Sequence, residues 1–457
     1  MNAAQARAAL EGLTVRAVKP GLTRTRWLLA RLGRPDRACP AVHVTGTNGK
    51  GSTAAALSAI LHEAGVPALL YTSPHLGEAR ERFRIAESPP AQAAWNAAVT
   101  ELAPALMERK RLGDPATTFE AWTVLAALLA ARSGVRVALL EAGMGGRLDA
   151  TRAWAASLGT VLTSVSLDHT RELGGTEASI FEEKAALARA GRPWIAGVVQ
   201  PDLQARAAAL AEQRGCPLDL PGRTFRVSAW RRIPQGVRFN LVVRNRRLGP
   251  FFFSLRGKHQ AGNGALAVVA AQRLAEAGLP VTEAHIRAGL ARTAWPGRLE
   301  IVRRSPTVIL DGAHNPAASR ALAGEIRAFG ARAQMVLGIM ADKDVEGICR
   351  MLAPVADTFW TVKPPDPRGL PARDLARICG RLHGSVEACP SWRRALAGSL
   401  SAAGRRGLVV VAGSIYNIEK SRGILRDLAG AKEVRKGGRP ALTPRAADAM
   451  LPCRGTV

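Results

Sequence analysis

Apolar residues fall along the chain in short runs, separated by longer stretches where they recur at helical spacing. Ala41-Val42-His43-Val44, Ala68-Leu69-Leu70-Tyr71-Thr72, Val135 to Leu140 ending at Glu141, Gly159 to Ser166 and Trp194 to Val199 each predict a buried strand. Between them, Ala54 to Ala64 predicts a helix with Leu57, Ile60 and Leu61 on one apolar face, and 91–111, 119–132 and 201–214 predict three more. The basic segment before residue 38 reads as helical, with one helix starting at Gly21-Leu22-Thr23-Arg24 and running through Trp27, Leu28 and Leu32. From Phe225 to Leu255 the pattern alternates, with turns at Pro234-Gln235-Gly236 and Arg244-Asn245-Arg246, which predicts antiparallel hairpins. Gly257 to Asn263 then leads into an alanine-rich helix.

At Trp295-Pro296-Gly297-Arg298 a domain boundary fits, and beyond it the strand–helix rhythm restarts. Strands are predicted at Val308–Leu310, Gln334–Ile339, Thr358–Val362 and Leu408–Ala412, with a helix over 317–329. The last stretch, 431–457, is basic and Gly/Pro-rich without apolar period, and is expected to be disordered. The pattern therefore predicts an α/β protein with one domain over 1–295, a smaller one over 296–430 and a tail.

A length of 457 residues suits two or three domains. No apolar run is long enough to span a membrane, and the N-terminus lacks a signal-peptide pattern, so a cytoplasmic protein is expected. The six cysteines are scattered with no C-x-x-C pair, which argues for reduced thiols over a disulfide framework or a zinc site. A formal net charge of +28 implies affinity for anions: nucleotides, acidic substrates or nucleic acid.

The first candidate chemistry is Thr45-Gly46-Thr47-Asn48-Gly49-Lys50-Gly51-Ser52-Thr53, between a predicted strand and a predicted helix. Glycines let backbone N–H groups converge on phosphate oxygens, and the helix N-terminus adds partial positive charge. Lys50 would reach the β/γ-phosphates. The spacing departs from the common phosphate-loop form, with Val44 where its first glycine belongs and Gly51 after the lysine. The plain alternative is a glycine-rich turn with an exposed lysine. Ser73-Pro74-His75-Leu76 and Asp168-His169 end other strands on the same edge, where ligands bind in α/β sheets. Glu141 ends a strand before Ala142-Gly143-Met144-Gly145-Gly146-Arg147-Leu148-Asp149-Ala150-Thr151. A dinucleotide fingerprint would need a third glycine there, so an acid that holds Mg²⁺ fits better. Lys184 lies on a helix beside Glu182 and Glu183, where a solvated surface charge is the ordinary reading.

Taken together and in order, Thr45–Thr53, Ser73–Leu76, Glu141–Thr151, Asp168-His169, Glu183-Lys184-Ala185, Pro296-Gly297-Arg298 and Asp311-Gly312-Ala313-His314-Asn315-Pro316 resemble the folylpolyglutamate synthase/dihydrofolate synthase family of the Mur ligase superfamily. The resemblance covers roughly residues 20–425. It implies a phosphate-loop, Mur-ligase-like N-terminal domain that binds ATP and folate, and a Rossmann-like C-terminal glutamate-ligase domain. The implied reaction is ATP-dependent ligation of L-glutamate to dihydropteroate or folate through an acyl phosphate, with Mg²⁺ as cofactor. A monomer is expected, with neither membrane nor specific nucleic-acid partner.

By the same resemblance, Thr47, Asn48, Gly49, Lys50, Gly51 and Ser52 hold the ATP phosphates, with Asn263, Arg298 and Asp311 as further nucleotide contacts. Ser73, Glu141 and His169 match the metal ligands, and Thr117, Phe119, Leu148, Asp149 and Ala150 match the pteroate pocket. Lys184 matches a lysine that the family carbamylates. His314, in the loop after Asp311, joins Lys50 and Lys184 in the expected catalytic set. The chain departs from the family pattern at Ala186, at Ala121-Trp122 and at Ala86-Glu87. Two alternatives stand beside this reading: a Mur-type ligase acting on a cell-wall nucleotide precursor, and a basic ATPase that binds nucleic acid. Ser73–Leu76 and Phe119-Glu120 argue against the first. Lys184 and the Asp311–Pro316 loop argue against the second, as do arginines spread without interleaved aromatics.

Overall fold

A computed structural model describes residues 2–15 and 19–434. They form two compact units: residues 2–231 with 237–296, and residues 232–236 with those from Gly297 onward.

In the first unit, α1 (Ala3–Leu13) and α2 (Thr23–Arg31) precede β1 (Ala41–Thr45), α3 (Lys50–Glu63), β2 (Ala68–Tyr71), β3 (Phe83–Ile85), α4 (Gln92–Arg111) and α5 (Thr118–Arg132). After these come β4 (Val137–Glu141), β5 (Ser157–Leu162), α6 (Thr170–Leu173), α7 (Glu177–Ala185), β6 (Trp194–Ala196), α8 (Pro201–Arg214) and β7 (Leu218–Asp219). The seven strands make one sheet in the order β3-β2-β4-β1-β5-β6-β7, parallel except for β3. Every residue of β1 and β4 is buried. A parallel strand covered on both faces reads as an unbroken apolar run, which is why the pattern located them. The sheet's edge strands, β3 and β7, are two or three residues long and carried no such signal.

A three-stranded antiparallel sheet follows, from β8 (Phe225–Ile233), β9 (Gly236–Val243) and β10 (Arg246–Phe253). Arg244 and Asn245 both take positive φ, 46° and 68°, as a tight two-residue hairpin turn requires. Helices α9 (Lys258–Glu276) and α10 (Glu283–Arg292) pack on α3. Together with β1, β2 and β4 they bury α3 from Gly51 to Leu61 on all sides. Gly289 makes the approach of α10 possible, because a Cβ there would lie 2.5 Å from the backbone of Ile60.

The second unit contains β11 (Glu300–Arg304), β12 (Thr307–Leu310), α11 (Pro316–Ala328), β13 (Ala333–Leu337), α12 (Val345–Leu352) and β14 (Ala356–Thr361). Then come α13 (Ala372–Gly380), β15 (Val386–Ala388), α14 (Trp392–Ala403), β16 (Leu408–Ala412) and α15 (Tyr416–Val434). Its sheet runs β11-β12-β16-β13-β14-β15, parallel except for β11. The expected α/β class, with mostly parallel sheets, is what both units have. α15 continues to Val434, so the expected disordered tail does not begin at 431; residues 435–457 lie outside the described residues. The cysteines of the described residues are free and buried, and no helix among those residues is long and apolar enough to cross a membrane.

Candidate active site

The loop after β1 lies at the centre of the first sheet. Residues 46–49 leave β1 at its carboxyl end, and the helix that follows begins at Lys50. The apolar face first visible at Ala54 therefore understates α3 by four residues: Lys50, Gly51, Ser52 and Thr53 form its first turn, with Thr53 N–H donating to the Gly49 carbonyl at 2.9 Å. Gly49 has φ +88°, and a Cβ on it would meet the Asn263 amide at 2.4 Å. At Gly46, φ is +145° and a Cβ would fall 2.0 Å from Thr163 Oγ1. The tight loop thus needs glycine at both positions. Gly51 lies under the Trp295 indole, where a Cβ would come within 2.7 Å of the ring.

The chain leaving β5 fastens this loop. Thr47 N–H donates to the Ser164 carbonyl at 2.8 Å, and Asn48 N–H donates to Ser164 Oγ at 3.0 Å. Thr163 Oγ1 donates to the Asn48 carbonyl at 2.6 Å, while Thr47 Oγ1 donates to the Ser166 carbonyl at 3.1 Å. Behind the loop, the wholly buried Gln260 links Asn263 Nδ2, at 2.9 Å, to Ser52 Oγ, at 3.4 Å. Thr163, Ser164 and Gln260 escaped the sequence reading. Their only signals were hydroxyls at a strand exit and an amide one turn before Asn263.

Two lysines converge on the same carbonyl. Lys50 Nζ donates to Gly46 O at 3.0 Å and Thr47 O at 3.1 Å, and Lys184 Nζ donates to Gly46 O at 3.1 Å. Lys184 is buried, so it is not the solvated surface charge its helix neighbours suggest. Burial, and then the nearby Lys50 charge, lower its pKa to about 7, against the opposing pull of Asp168 and Asp149. Gly146 lets α7 come this close. A Cβ there would be 2.7 Å from the Glu183 carbonyl and 2.9 Å from that of Lys184. Arg147 N–H donates to Glu183 O at 2.9 Å, and Arg147 Nε to Glu183 Oε1 at 2.8 Å, completing the clamp.

Glu141, buried at the end of β4, accepts from Ser73 N–H at 3.0 Å, so two of the three expected metal ligands are neighbours. His169 follows β5 with φ +50°, its N–H donating to Asp168 Oδ1 at 2.9 Å. Among the described residues, no three His, Cys, Asp or Glu side chains gather into a metal cluster.

In the Gly-rich loop, Asp149 Oδ2 accepts from the N–H groups of Gly143 and Met144, at 2.9 and 3.0 Å. Its Oδ1 accepts from Thr151 N–H and Oγ1, at 3.0 and 2.6 Å. The carboxylate thereby shapes the loop from within. Burial pushes its pKa up, and these donors pull it down. Thr117 caps α5 in a reciprocal box with Glu120, at 3.2 and 2.7 Å. Phe119 covers Gly143, where a Cβ would come within 2.6 Å of its ring. Leu148 is 46 % exposed, and Ala150 is buried.

The second unit carries its own cluster at the end of β12. Asp311 is buried and accepts from Leu299 N–H at 2.9 Å and Ala313 N–H at 2.8 Å. The Arg298 guanidinium crosses Gly312, where a Cβ would be 2.2 Å from Nη1. His314 Nδ1 lies 2.8 Å from Gly312 O, and Asn315 caps α11 through Ala318 N–H at 2.8 Å.

Comparison with known proteins agrees with this arrangement of parts. Residues 44–271 match the Mur ligase middle domain, and 297–415 match the Mur ligase glutamate ligase domain. The dihydrofolate synthase/folylpolyglutamate synthase of Bacillus subtilis is 34 % identical over 376 residues, 81 % of this chain and 87 % of that protein. A probable bifunctional folylpolyglutamate synthase/dihydropteroate synthase of Haloferax volcanii is 37 % identical over 414 residues, 89 % of this chain. The chain spans 48 % of that longer relative. The structure of Escherichia coli FolC in complex with DHPP and ADP superposes with a TM-score of 0.83 at 30 % identity, covering 94 % of this chain and 99 % of that one.

Proposed function

Because this chain belongs to the folylpolyglutamate synthase/dihydrofolate synthase family of Mur ligases, we propose that it is an ATP-dependent ligase that joins L-glutamate to dihydropteroate, to (tetrahydro)folate polyglutamates, or to both. A carboxylate is a poor electrophile. One of its oxygens attacks the γ-phosphorus of ATP, ADP departs, and an acyl phosphate remains. The glutamate amine then attacks the acyl carbon; phosphate leaves, the amine gives up a proton, and the amide stands. The burden on the protein is to hold two anions together.

The observation that carries this reading is the pair of lysines on Gly46, set among loop amides at the start of α3. Lys50 and the N–H groups of Gly49, Gly51 and Ser52 neutralise phosphate charge, while Ser164 holds the N–H groups of Thr47 and Asn48. Asn263 holds Gly49 in place. Arg298, Asp311 and His314 serve the nucleotide and phosphate from the second unit's cluster. Glu141, Ser73 and His169 would hold Mg²⁺, and a buried carboxylate hydrogen-bonded to the Ser73 backbone suits an ion that keeps waters and takes phosphate oxygens as its other ligands. When bound, that ion supplies further charge neutralisation.

Lys184 serves as a carbamate. A pKa of about 7 leaves much of the amine neutral at physiological pH, and its lone pair adds to the carbon of CO₂ as one N–H proton is lost. A cation beside Lys50 becomes an anion with two oxygen donors. On the acceptor side, Phe119 packs against the flat ring system, and Leu148 and Ala150 line the wall that Thr117 and Asp149 hold in shape. The reading carries with it a cytoplasmic monomer with no specific nucleic-acid partner.

Mass spectrometry of the product tests it. Incubation with ATP, Mg²⁺, L-glutamate and dihydropteroate or a tetrahydrofolate should yield the acceptor plus one or more glutamate residues. A product formed only from a cell-wall nucleotide precursor would replace this reading with the alternative Mur-type activity.

A further inference from the structure

Away from the loops just described, the first unit contains a cleft of about 580 Å³ whose wall includes Arg26, Arg34, Arg147, Arg152, Arg189 and Arg214. Its remaining lining is alanine, with the edge of Trp154. Among the described residues, only two of these arginines have a carboxylate partner: Arg34 pairs with Asp36 at 2.6 Å, and Arg147 with Glu183 at 2.8 Å. Three others are held by backbone carbonyls, which fix their direction and leave the charge in place. Arg152 Nε donates to Ala186 O at 3.1 Å, Arg189 Nη1 to Ala155 O at 2.9 Å, and Arg214 Nη1 to Ala185 O at 2.8 Å. Arg26 projects from the exposed side of α2. Burial lowers the pKa of Arg152 and of Arg189, and the neighbouring arginine charges lower both further. Like charges gathered around one concave space, at a cost in mutual repulsion, are the arrangement that a bound anion relieves.

We propose that this arginine cleft is a second anion site, taking a small polyanion that carries several phosphate or carboxylate groups. The burial of Trp154 argues against a nucleic-acid strand, which needs exposed rings for stacking. Two sources share the required chemistry: a polyphosphate chain, and a γ-linked oligoglutamate such as the tail of the proposed product. Arg147 and Arg152 line this cleft and flank Leu148–Ala150, the wall proposed for the acceptor, in sequence.

Titration calorimetry at low salt, with inorganic tripolyphosphate in one arm and γ-linked pentaglutamate in the other, tests the site without reference to ligase activity. At least one should bind, and the arm that binds more tightly names the source. Arg26→Glu, on an exposed helix surface, should weaken binding about tenfold or more, and Arg26→Glu with Arg152→Ala should abolish it. Lys50→Ala should leave it within about twofold, which separates this site from the phosphate loop. The proposal fails if neither anion binds, if Arg26→Glu leaves both affinities unchanged, or if Lys50→Ala alone removes the binding.

Discussion

Lys184 Nζ donates to the Gly46 carbonyl at 3.1 Å although 138 residues separate the two. The same carbonyl accepts from Lys50, so two ammonium groups share one oxygen in a buried setting. Burial, and second to it the Lys50 charge, lower the pKa of Lys184.

If Lys184 is carbamylated, charge at this position must be negative for turnover. Lys184→Ala should lower turnover by about a hundredfold or more, and added acetate or formate should restore part of it. Lys184→Arg keeps the cation and should remain inactive. In ¹³C-bicarbonate, a carbamate resonance should be present in the parent and missing from both variants. Between pH 6 and 8 its intensity should rise as the amine loses its proton. An active Lys184→Arg enzyme would mean that a cation suffices.

Gly146 sets how close α7 can come. Gly146→Ala places a methyl against the carbonyls of Glu183 and Lys184 and should cost about 1–3 kcal/mol in chemical denaturation. Turnover should fall further than stability explains, because the shift moves Lys184 from Gly46. A variant with reduced stability and full turnover would separate the helix position from the chemistry.

Glu141→Ala and His169→Ala should each raise the Mg²⁺ concentration needed for half-maximal rate, Glu141 more, as it supplies the buried carboxylate. Superimposable Mg²⁺ titrations of parent and variants would assign both residues to the scaffold.

His43 gives a pH signature unrelated to catalysis. Its ring is fully buried in β1, Nε2 lies 3.0 Å from Thr151 O, and burial followed by the Arg189 charge lowers its pKa from 6.5 to about 4. Between those values the unfolded chain binds a proton that the folded chain does not. Stability should therefore fall as pH drops from 6.5 to 4, by ~3 kcal/mol from this ring. His43→Gln keeps a donor for Thr151 and should flatten that part of the profile. Parallel profiles for parent and variant would show that other groups set the acid sensitivity.

The buried central strands were legible because parallel strands covered on both faces carry unbroken apolar runs, as β1, β4 and β16 do. β3, β7 and β15 were not, since strands of two or three residues at a sheet edge hold too few apolar positions to make a pattern. The start of α3 was misplaced because its first turn is made of glycine and hydroxyl residues, which look like loop until a helix buries them. At the site, the residue types of the phosphate loop were readable, but Lys184 looked like a surface charge. Its burial depends on Gly146 and α7, a long-range packing relationship with no local trace. Asp149 shows the converse: a conspicuous acid whose four bonds all run to its own loop.

The most direct measurement is ADP release with Mg²⁺, varied across acceptors and with L-glutamate present or absent. Release is expected only when L-glutamate and a pteroate or folate acceptor are both supplied, with a loss of at least about a hundredfold in Lys50→Ala. Release that ignores both substrates and rises instead with DNA, RNA or a cell-wall nucleotide precursor would contradict it.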